Sequence, residues 1–238
     1  HKTWTKESQP WMASPLREQI IKFQDTQVVQ EFVEAVETKR IKEIYWCGGE
    51  PLMWDIHWKA MQRIIELGFA KEVYVRYNTN LSRTSLKGIK LFDLLPQFQD
   101  WQVCSSLDGT GEVGEYIRDG LDYKQWLENF KEGLAVAKTS REMRLDYTLT
   151  MPGLLELKNM FDLSQELNVE LLTKVMFTFN PTEVLSPLAL PRELLGTLID
   201  EALEYMEPKV TRKQQSLIDT LKNLKNRENL DDMFLGFD

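Results

Sequence analysis

Glycines and short polar side chains follow the hydrophobic runs of this 238-residue chain. The first such string, Gly48-Gly49-Glu50-Pro51, comes directly after the apolar run at residues 44–47. Two adjacent glycines let backbone N–H and C=O groups approach a ligand, because no Cβ stands in the way. The Glu50 carboxylate can accept hydrogen bonds from an ammonium group, and Pro51 stiffens the exit from the loop. The string indicates a site for a small polar molecule, whereas a bare glycine pair is equally typical of an ordinary turn.

The next two hydrophobic runs also end in polar side chains. Asn78 follows the run at residues 73–75, and Ser106 and Asp108 lie at the end of the run at residues 101–107. Side chains two positions apart on a strand point to the same side, so we expect Ser106 and Asp108 to share a face. Taken alone, both residues are also common turn formers. Their order in the chain, behind successive strands, favours a binding site over separate turns.

Strand-like and helix-like segments alternate along the chain. Strands are predicted at residues 44–47, 73–75, 101–107, 145–150 and 171–179, and helices at 28–36 with Asp25 as the N-cap, after Pro51, at 86–94, 123–138 and 154–167. Such alternation requires a parallel sheet, because each crossover needs a helix to return the chain. Ligands of parallel sheets lie at the carboxyl ends of the strands. We therefore predict an α/β fold in which a first strand, ahead of the helix at 28–36, is missing.

The C-terminal quarter of the chain changes character. A helix opens at Pro191, and a more polar one is predicted at residues 211–226. These two helices are expected either to close a barrel or to form a small cap. We accordingly divide the chain into a core domain, residues 1–190, and a helical extension, residues 191–238.

Composition excludes several classes of protein. The chain has 29 Lys and Arg against 37 Asp and Glu, a net charge of −8, and no basic cluster, which predicts no binding of nucleic acid. No apolar stretch approaches the roughly 20 residues of a membrane span, and no signal-peptide layout begins the chain. We expect no membrane partner and a cytoplasmic location.

The two cysteines, Cys47 and Cys104, are expected to be reduced thiols.

The motifs together resemble those of the radical S-adenosylmethionine (SAM) superfamily. Gly-Gly-Glu-Pro at 48–51, Asn-Thr-Asn at 78–80 and Ser-Leu-Asp-Gly at 106–109 are similar to three of its loops, in the same order. The resemblance covers roughly residues 25–190 and is closest to the twitch domain-containing branch, with Leu-Asp-Tyr at 121–123 before a helix that contains Trp126. It implies a partial (β/α)6 TIM-like barrel of the radical SAM type, with the first strand missing and a helical C-terminal segment.

The resemblance also implies roles for individual residues. The string at 48–51 would hold the SAM amino group, Ser106 and Asp108 would bind at or near the ribose, and Arg118 would pair with the SAM carboxylate. Further contacts are expected near the end of the next strand and where the adenine ring packs. The full expected set of cofactor-binding residues is Gly48, Gly49, Glu50, Pro51, Asn78, Ser106, Asp108, Arg118, Thr150 and Phe177. None is expected to act as a general acid or base.

One departure from the family pattern limits the expectation. The Cys-x3-Cys-x2-Cys loop that binds a [4Fe-4S] cluster is absent, and Cys47 and Cys104 cannot supply three thiolates. Both cysteines are expected in the core, and His57, in the first turn of its helix, is expected to be structural or solvated. Because His-Lys-Thr-Trp at 1–4 resembles the stretch after that loop, we expect a fragment whose cluster cysteines lie outside it, inactive alone, rather than a degenerate enzyme.

Three functions follow as hypotheses. The first is a radical SAM enzyme that uses SAM and a [4Fe-4S] cluster to abstract hydrogen from a peptide or small-molecule substrate, with an electron donor such as flavodoxin or ferredoxin. The second is a non-catalytic SAM-binding or scaffold module without a cluster, docking a partner through its acidic surface. The third, an unrelated nucleotide-binding α/β domain, is disfavoured because neither Gly-x-Gly-x-x-Gly nor a Walker phosphate loop is present.

Overall fold

A parallel sheet of five strands organises the chain in the computed structural model, which describes residues 16–176 and 185–227. The sheet has the order β1-β2-β5-β6-β7, and every neighbouring pair is parallel. A short antiparallel hairpin of β3 and β4 stands apart from it. The strands are β1 (Glu43–Trp46), β2 (Tyr74–Thr79), β3 (Ser85–Leu86), β4 (Ile89–Lys90), β5 (Asp100–Ser106), β6 (Met143–Leu149) and β7 (Glu170–Val175).

Helices provide the crossovers between the strands. They are α1 (Leu16–Phe23), α2 (Val29–Glu37), α3 (Asp55–Glu66), α4 (Leu91–Leu94), α5 (Gly111–Ile117), α6 (Tyr123–Val136), α7 (Leu157–Glu166), α8 (Arg192–Met206) and α9 (Gln215–Lys225). Short 3-10 turns follow β1 and β6, at Pro51–Met53 and Pro152–Glu156. In residues 16–176 and 185–227, no helix has both the length and the apolar character that crossing a membrane requires.

The strand order explains which side of the sheet the helices cover. Sheet order follows chain order without reversal, and parallel crossovers are almost always right-handed, so the connecting helices all lie on one side. The α/β prediction is confirmed. The predicted barrel is not confirmed. Within the described residues the sheet is open, with β1 and β7 at its two edges.

The two faces of the sheet differ in polarity. In β2, Val75, Tyr77 and Thr79 are buried in the core, whereas Arg76 and Asn78 are half-buried on the opposite side. We call that opposite side the polar face; its strand residues, by alternation and register, are Glu43, Tyr45, Tyr74, Arg76, Asn78, Asp100, Gln102, Cys104, Ser106, Arg144, Asp146, Thr148, Glu170, Leu172 and Lys174. A strand buried between two helix layers reads as continuously apolar. The alternation therefore marks a sheet with helices on one side only.

The C-terminal helices cover the β7 edge of the sheet. Ser216, in α9, accepts a hydrogen bond from the Thr173 backbone N–H at 3.1 Å, and Gln214 donates one to Ser164 of α7 at 2.7 Å. Covering an edge strand removes a site for unwanted pairing. Of the two expected arrangements, barrel closure is not seen in the described residues, and the cap stays a prediction. The division at residue 190 stays a prediction, and Leu195 and Leu217 lie in the same apolar core as the sheet.

Several predicted elements were wrong in detail. The helix predicted at 86–94 is the β3–β4 hairpin followed by the single turn α4, because Lys87 and Gly88 adopt positive φ angles of 52° and 85°, as a two-residue hairpin turn requires. Asp25 caps no helix; it lies in a π-helical turn, Gln24–Val28, that joins α1 to α2. The loop expected through Gly120 contains α5. Residues 177–179 of the last predicted strand lie outside the described residues.

We predict that Gly114→Ala lowers the free energy of unfolding by about 1–3 kcal/mol, because a Cβ at residue 114 would overlap the Gly109 carbonyl oxygen. Urea denaturation measures the change. The matched control is Gly196→Ala in α8, where nothing lies within 4 Å of the added Cβ and alanine favours the helix. The control is expected to be neutral or stabilising, and equal losses in both variants would contradict the account.

Candidate functional site

Glu50 joins the loop after β1 to the end of β2. Its Oε1 accepts hydrogen bonds from Thr79 Oγ1 at 2.6 Å and from the Leu52 backbone N–H at 3.2 Å. Its Oε2 accepts one from the Asn80 backbone N–H at 2.8 Å. Each carboxylate oxygen has two acceptor positions, so Oε2 can still accept from a ligand. The carboxylate is therefore held in one orientation while remaining able to bind a cation.

The glycines before Glu50 expose their backbone. Gly48 has φ of +112°, a conformation that other residues rarely adopt, and no atom lies within 4 Å of a Cβ placed on Gly48 or Gly49. Pro51 is buried and begins the 3-10 turn that follows. The loop thus presents open main chain beside a fixed carboxylate, which suits a ligand that carries an ammonium group.

Asp108 joins the end of β5 to β6. Its Oδ2 accepts a hydrogen bond from Arg118 Nε at 2.7 Å, and its Oδ1 accepts one from the Thr148 backbone N–H at 2.9 Å. The Asp108 side chain is 10% exposed, whereas the Arg118 side chain is 28% exposed. Asp108 therefore positions Arg118, and the exposed part of the guanidinium is the group that can reach a ligand carboxylate.

The remaining predicted residues differ in how open they are. Asn78 and Ser106 lie on the polar face near the carboxyl ends of β2 and β5, and the buried Asn78 Oδ1 has no hydrogen-bond partner among the described residues. Thr150 is buried, and its hydroxyl accepts a hydrogen bond from the Gly153 N–H at 3.1 Å, so it serves the turn after β6. Phe177 lies outside the described residues.

The structure brings most of the predicted residues to one edge of the sheet. Glu50, Asn78, Ser106 and Asp108 follow or end β1, β2 and β5, and Asp108 contacts β6 through Thr148. Neighbouring strands are about 4.8 Å apart, so this edge spans about 14 Å across the four strands. The arrangement is suited to a ligand of nucleoside size with a charged tail.

Neither cysteine lies where a metal site would form. Cys47 was predicted to be buried and is exposed, because β1 ends at Trp46 and Cys47 already belongs to the glycine loop. Cys104 is buried as predicted, and burial raises the pKa of its thiol. Within residues 16–176 and 185–227, no group of three His, Cys, Asp or Glu side chains can hold a metal ion. The described residues therefore do not fit an iron–sulfur cluster.

His57 is structural, one of the two roles expected for it. The ring is buried, its Nε2 lies 2.8 Å from the Tyr77 hydroxyl, and the Trp46 and Trp58 ring centroids each lie 4.8 Å from its own. Burial lowers the pKa of His57 to about 3. The imidazole therefore stays neutral and is enclosed by aromatic rings.

A set of charged residues on the polar face was missed from the sequence. Arg76 lies in β2, Arg144 and Asp146 in β6, and Lys174 in β7. Arg144 Nε contacts Asp146 Oδ1 at 2.8 Å, and Lys174 Nζ lies 3.7 Å from Asp146 Oδ2. The signal was the alternation of charged and apolar residues along 143–149, since a strand covered on both faces would carry apolar residues throughout.

Comparisons with known proteins give a likeness to solved structures but no match to a family model or a curated protein. Among solved structures, the crystal structure of Streptococcus suis SuiB bound to precursor peptide SuiA is similar at 14% sequence identity and a TM-score of 0.49. The alignment covers 87% of this chain and 47% of that chain, so this chain spans about half the length of the solved one. A likeness at this level establishes neither family nor function.

We predict that His57 makes the chain less stable in acid. The unfolded state takes up a proton below the ordinary histidine pKa of about 6.5, whereas the folded state resists it until about pH 3. The free energy of unfolding is therefore expected to fall by about 2 kcal/mol from this group between about pH 7 and pH 5.

Urea denaturation at several pH values measures this. His57→Phe is expected to be less stable at neutral pH, because Tyr77 loses its partner, but to lack this part of the pH dependence. The control is His1→Gln, which removes the other histidine. An unchanged slope in His57→Phe would show that His57 is not the group responsible.

Proposed function

We propose that this chain is the SAM-binding part of a radical SAM enzyme. The observation that carries the proposal is the fixed Glu50 carboxylate beside the exposed backbone of Gly48 and Gly49, at the same sheet edge as the Asp108–Arg118 pair. An acceptor for an ammonium group and a donor for a carboxylate at one edge are the two kinds of group that an amino-acid moiety requires. The order of the motifs along the chain supports the same assignment.

Each residue has a defined part in the proposed complex. Glu50 Oε2 and the loop backbone at 48–49 accept hydrogen bonds from the SAM ammonium group, and Arg118 donates to the SAM carboxylate. Asn78 and Ser106 offer polar groups near the ribose. Asp108 acts as a positioning residue, because its Oδ2 accepts a hydrogen bond from Arg118 Nε and so orients the guanidinium.

Other parts of the proposal depend on the family resemblance alone. They are the contact of Phe177 with the adenine ring, a contribution of Thr150, the twitch branch, and the division of the chain at residue 190. Completion of the sheet to a (β/α)6 barrel belongs with them, as do the peptide or small-molecule substrate and an electron donor such as flavodoxin or ferredoxin.

The iron–sulfur cluster is assigned to residues outside this chain. The chain has two cysteines, one buried and one exposed, and cannot supply the three thiolates of the family motif. When bound, the cluster and SAM would together supply a 5′-deoxyadenosyl radical that abstracts hydrogen from a substrate. The contribution of the present residues is to bind and orient the amino-acid end of SAM.

We predict that Glu50→Gln weakens SAM binding about tenfold, the cost of one charge-assisted hydrogen bond. Binding of 5′-methylthioadenosine, which lacks the amino-acid end, is expected to change by less than about twofold. Isothermal titration calorimetry measures both ligands. The matched control is Glu43→Gln, which alters an exposed carboxylate at the amino end of β1. This variant is expected to change the binding of neither ligand.

The outcomes separate binding from folding. Equal weakening of both ligands by Glu50→Gln would mean that Glu50 acts only by joining the two loops. Absence of SAM binding to the unaltered chain would refute the proposal.

A non-catalytic SAM-binding or scaffold module is the second candidate, favoured by the two-cysteine content. Anaerobic reconstitution of the full protein that contains this chain decides between the two. The enzyme is expected to bind about four irons and to release 5′-deoxyadenosine after reduction with dithionite. SAM binding without iron or 5′-deoxyadenosine would identify the module instead.

A further inference from the structure

Arg76 is a cation on the polar face for which the described residues supply no ion-pair partner. Its guanidinium carbon lies 4.8 Å from the centroid of the Tyr45 ring, and its Nε is buried without a hydrogen-bond partner there. Its register partners, Tyr45 and Gln102, are uncharged. A buried donor without an acceptor is costly, so an acceptor supplied by a ligand would be favoured at this position.

The other cations of the polar face are already paired. Arg144 and Lys174 both approach Asp146, at 2.8 and 3.7 Å. The carboxylates nearest to Arg76 in the register, Glu43 and Asp100, are exposed first residues of their strands and form no described ion pair with it. Among the described residues, Arg76 is thus the cation of the polar face without an ion-pair partner, so its guanidinium can pair with an anionic group of another molecule.

We propose that Arg76 binds a carboxylate of a molecule that lies against the polar face. A guanidinium binds a carboxylate through two parallel hydrogen bonds, and Tyr45 stacks on Arg76 and limits its motion. Asn78 is two residues further along β2, on the same face and at the carboxyl edge. A molecule anchored at Arg76 therefore extends towards the proposed SAM site.

The proposal assigns a substrate class to the proposed function. A carboxylate-bearing peptide or small molecule, held by Arg76, would present its remaining atoms to the edge where SAM is proposed to bind. The inference rests on the proposed function only in calling this molecule the substrate. The anion site itself is argued from the polar face alone.

Nuclear magnetic resonance of the chain tests the site through the side-chain Nε–H signal of Arg76. Glutarate is the probe, and glutaramide is its neutral counterpart of the same shape. The signal is expected to shift saturably with glutarate and not with glutaramide. Arg76→Gln is expected to weaken glutarate binding by about tenfold or more, measured on the remaining signals of the polar face.

The matched control is Arg212→Gln, an exposed arginine in the 3-10 turn Arg212–Gln214 before α9, outside the sheet. It is expected to leave glutarate binding unchanged. Equal effects of glutarate and glutaramide, or equal losses in both variants, would overturn the proposal. A well-dispersed spectrum of Arg76→Gln establishes that the variant is folded.

SAM titration of the same samples separates the two claims. If SAM binds and glutarate leaves the Arg76 signal unmoved, the inference fails and the proposed function stands. If glutarate binds through Arg76 and SAM does not bind, the anion site is supported and the molecule it holds is not a substrate of radical SAM chemistry.

Discussion

Parallel strands in sequential order can be joined only by crossovers that return on one side of the sheet. This constraint determines where the loops and the polar side chains of the molecule lie. It puts every loop that leaves a strand at the same edge, so residues far apart in the chain, such as Glu50 and Asp108, meet there. It also leaves the opposite side of the sheet to polar side chains. The candidate cofactor site and the candidate anion site both follow from this single geometric property.

Carboxylates that accept hydrogen bonds from backbone N–H groups hold that edge in shape. Glu50 binds the backbone at Asn80, Asp108 binds the backbone at Thr148, and Glu156 accepts hydrogen bonds from the backbone and hydroxyl of Thr110. Each links the loop after one strand to a neighbouring strand or loop. Hydrogen bonds to charged groups contribute about 1.5–3 kcal/mol each, so the loops are positioned before a ligand binds. Carboxylates such as Glu50 and Asp108, which suggest a binding site in the sequence, therefore also fix the positions of the loops.

The sequence predicted the alternation of strands and helices because apolar runs and glycine loops are local signals. It predicted the positions of Glu50, Asn78, Ser106 and Asp108 at strand ends for the same reason. It did not predict that both oxygens of Asp108 bind within the protein, since Thr148 is 40 residues away and this contact depends on the register of β5 and β6. Arg76 was missed because the lack of an acidic neighbour is a property of the folded sheet.

The central claim is that SAM binds across the carboxyl edge of β1, β2, β5 and β6. A crystal structure of the chain grown with SAM tests it most directly. The account predicts density for the SAM ammonium group beside Glu50 and for its carboxylate beside Arg118. Ordered SAM on the helix-covered side of the sheet, or at the edge with its amino-acid end away from both residues, would contradict it.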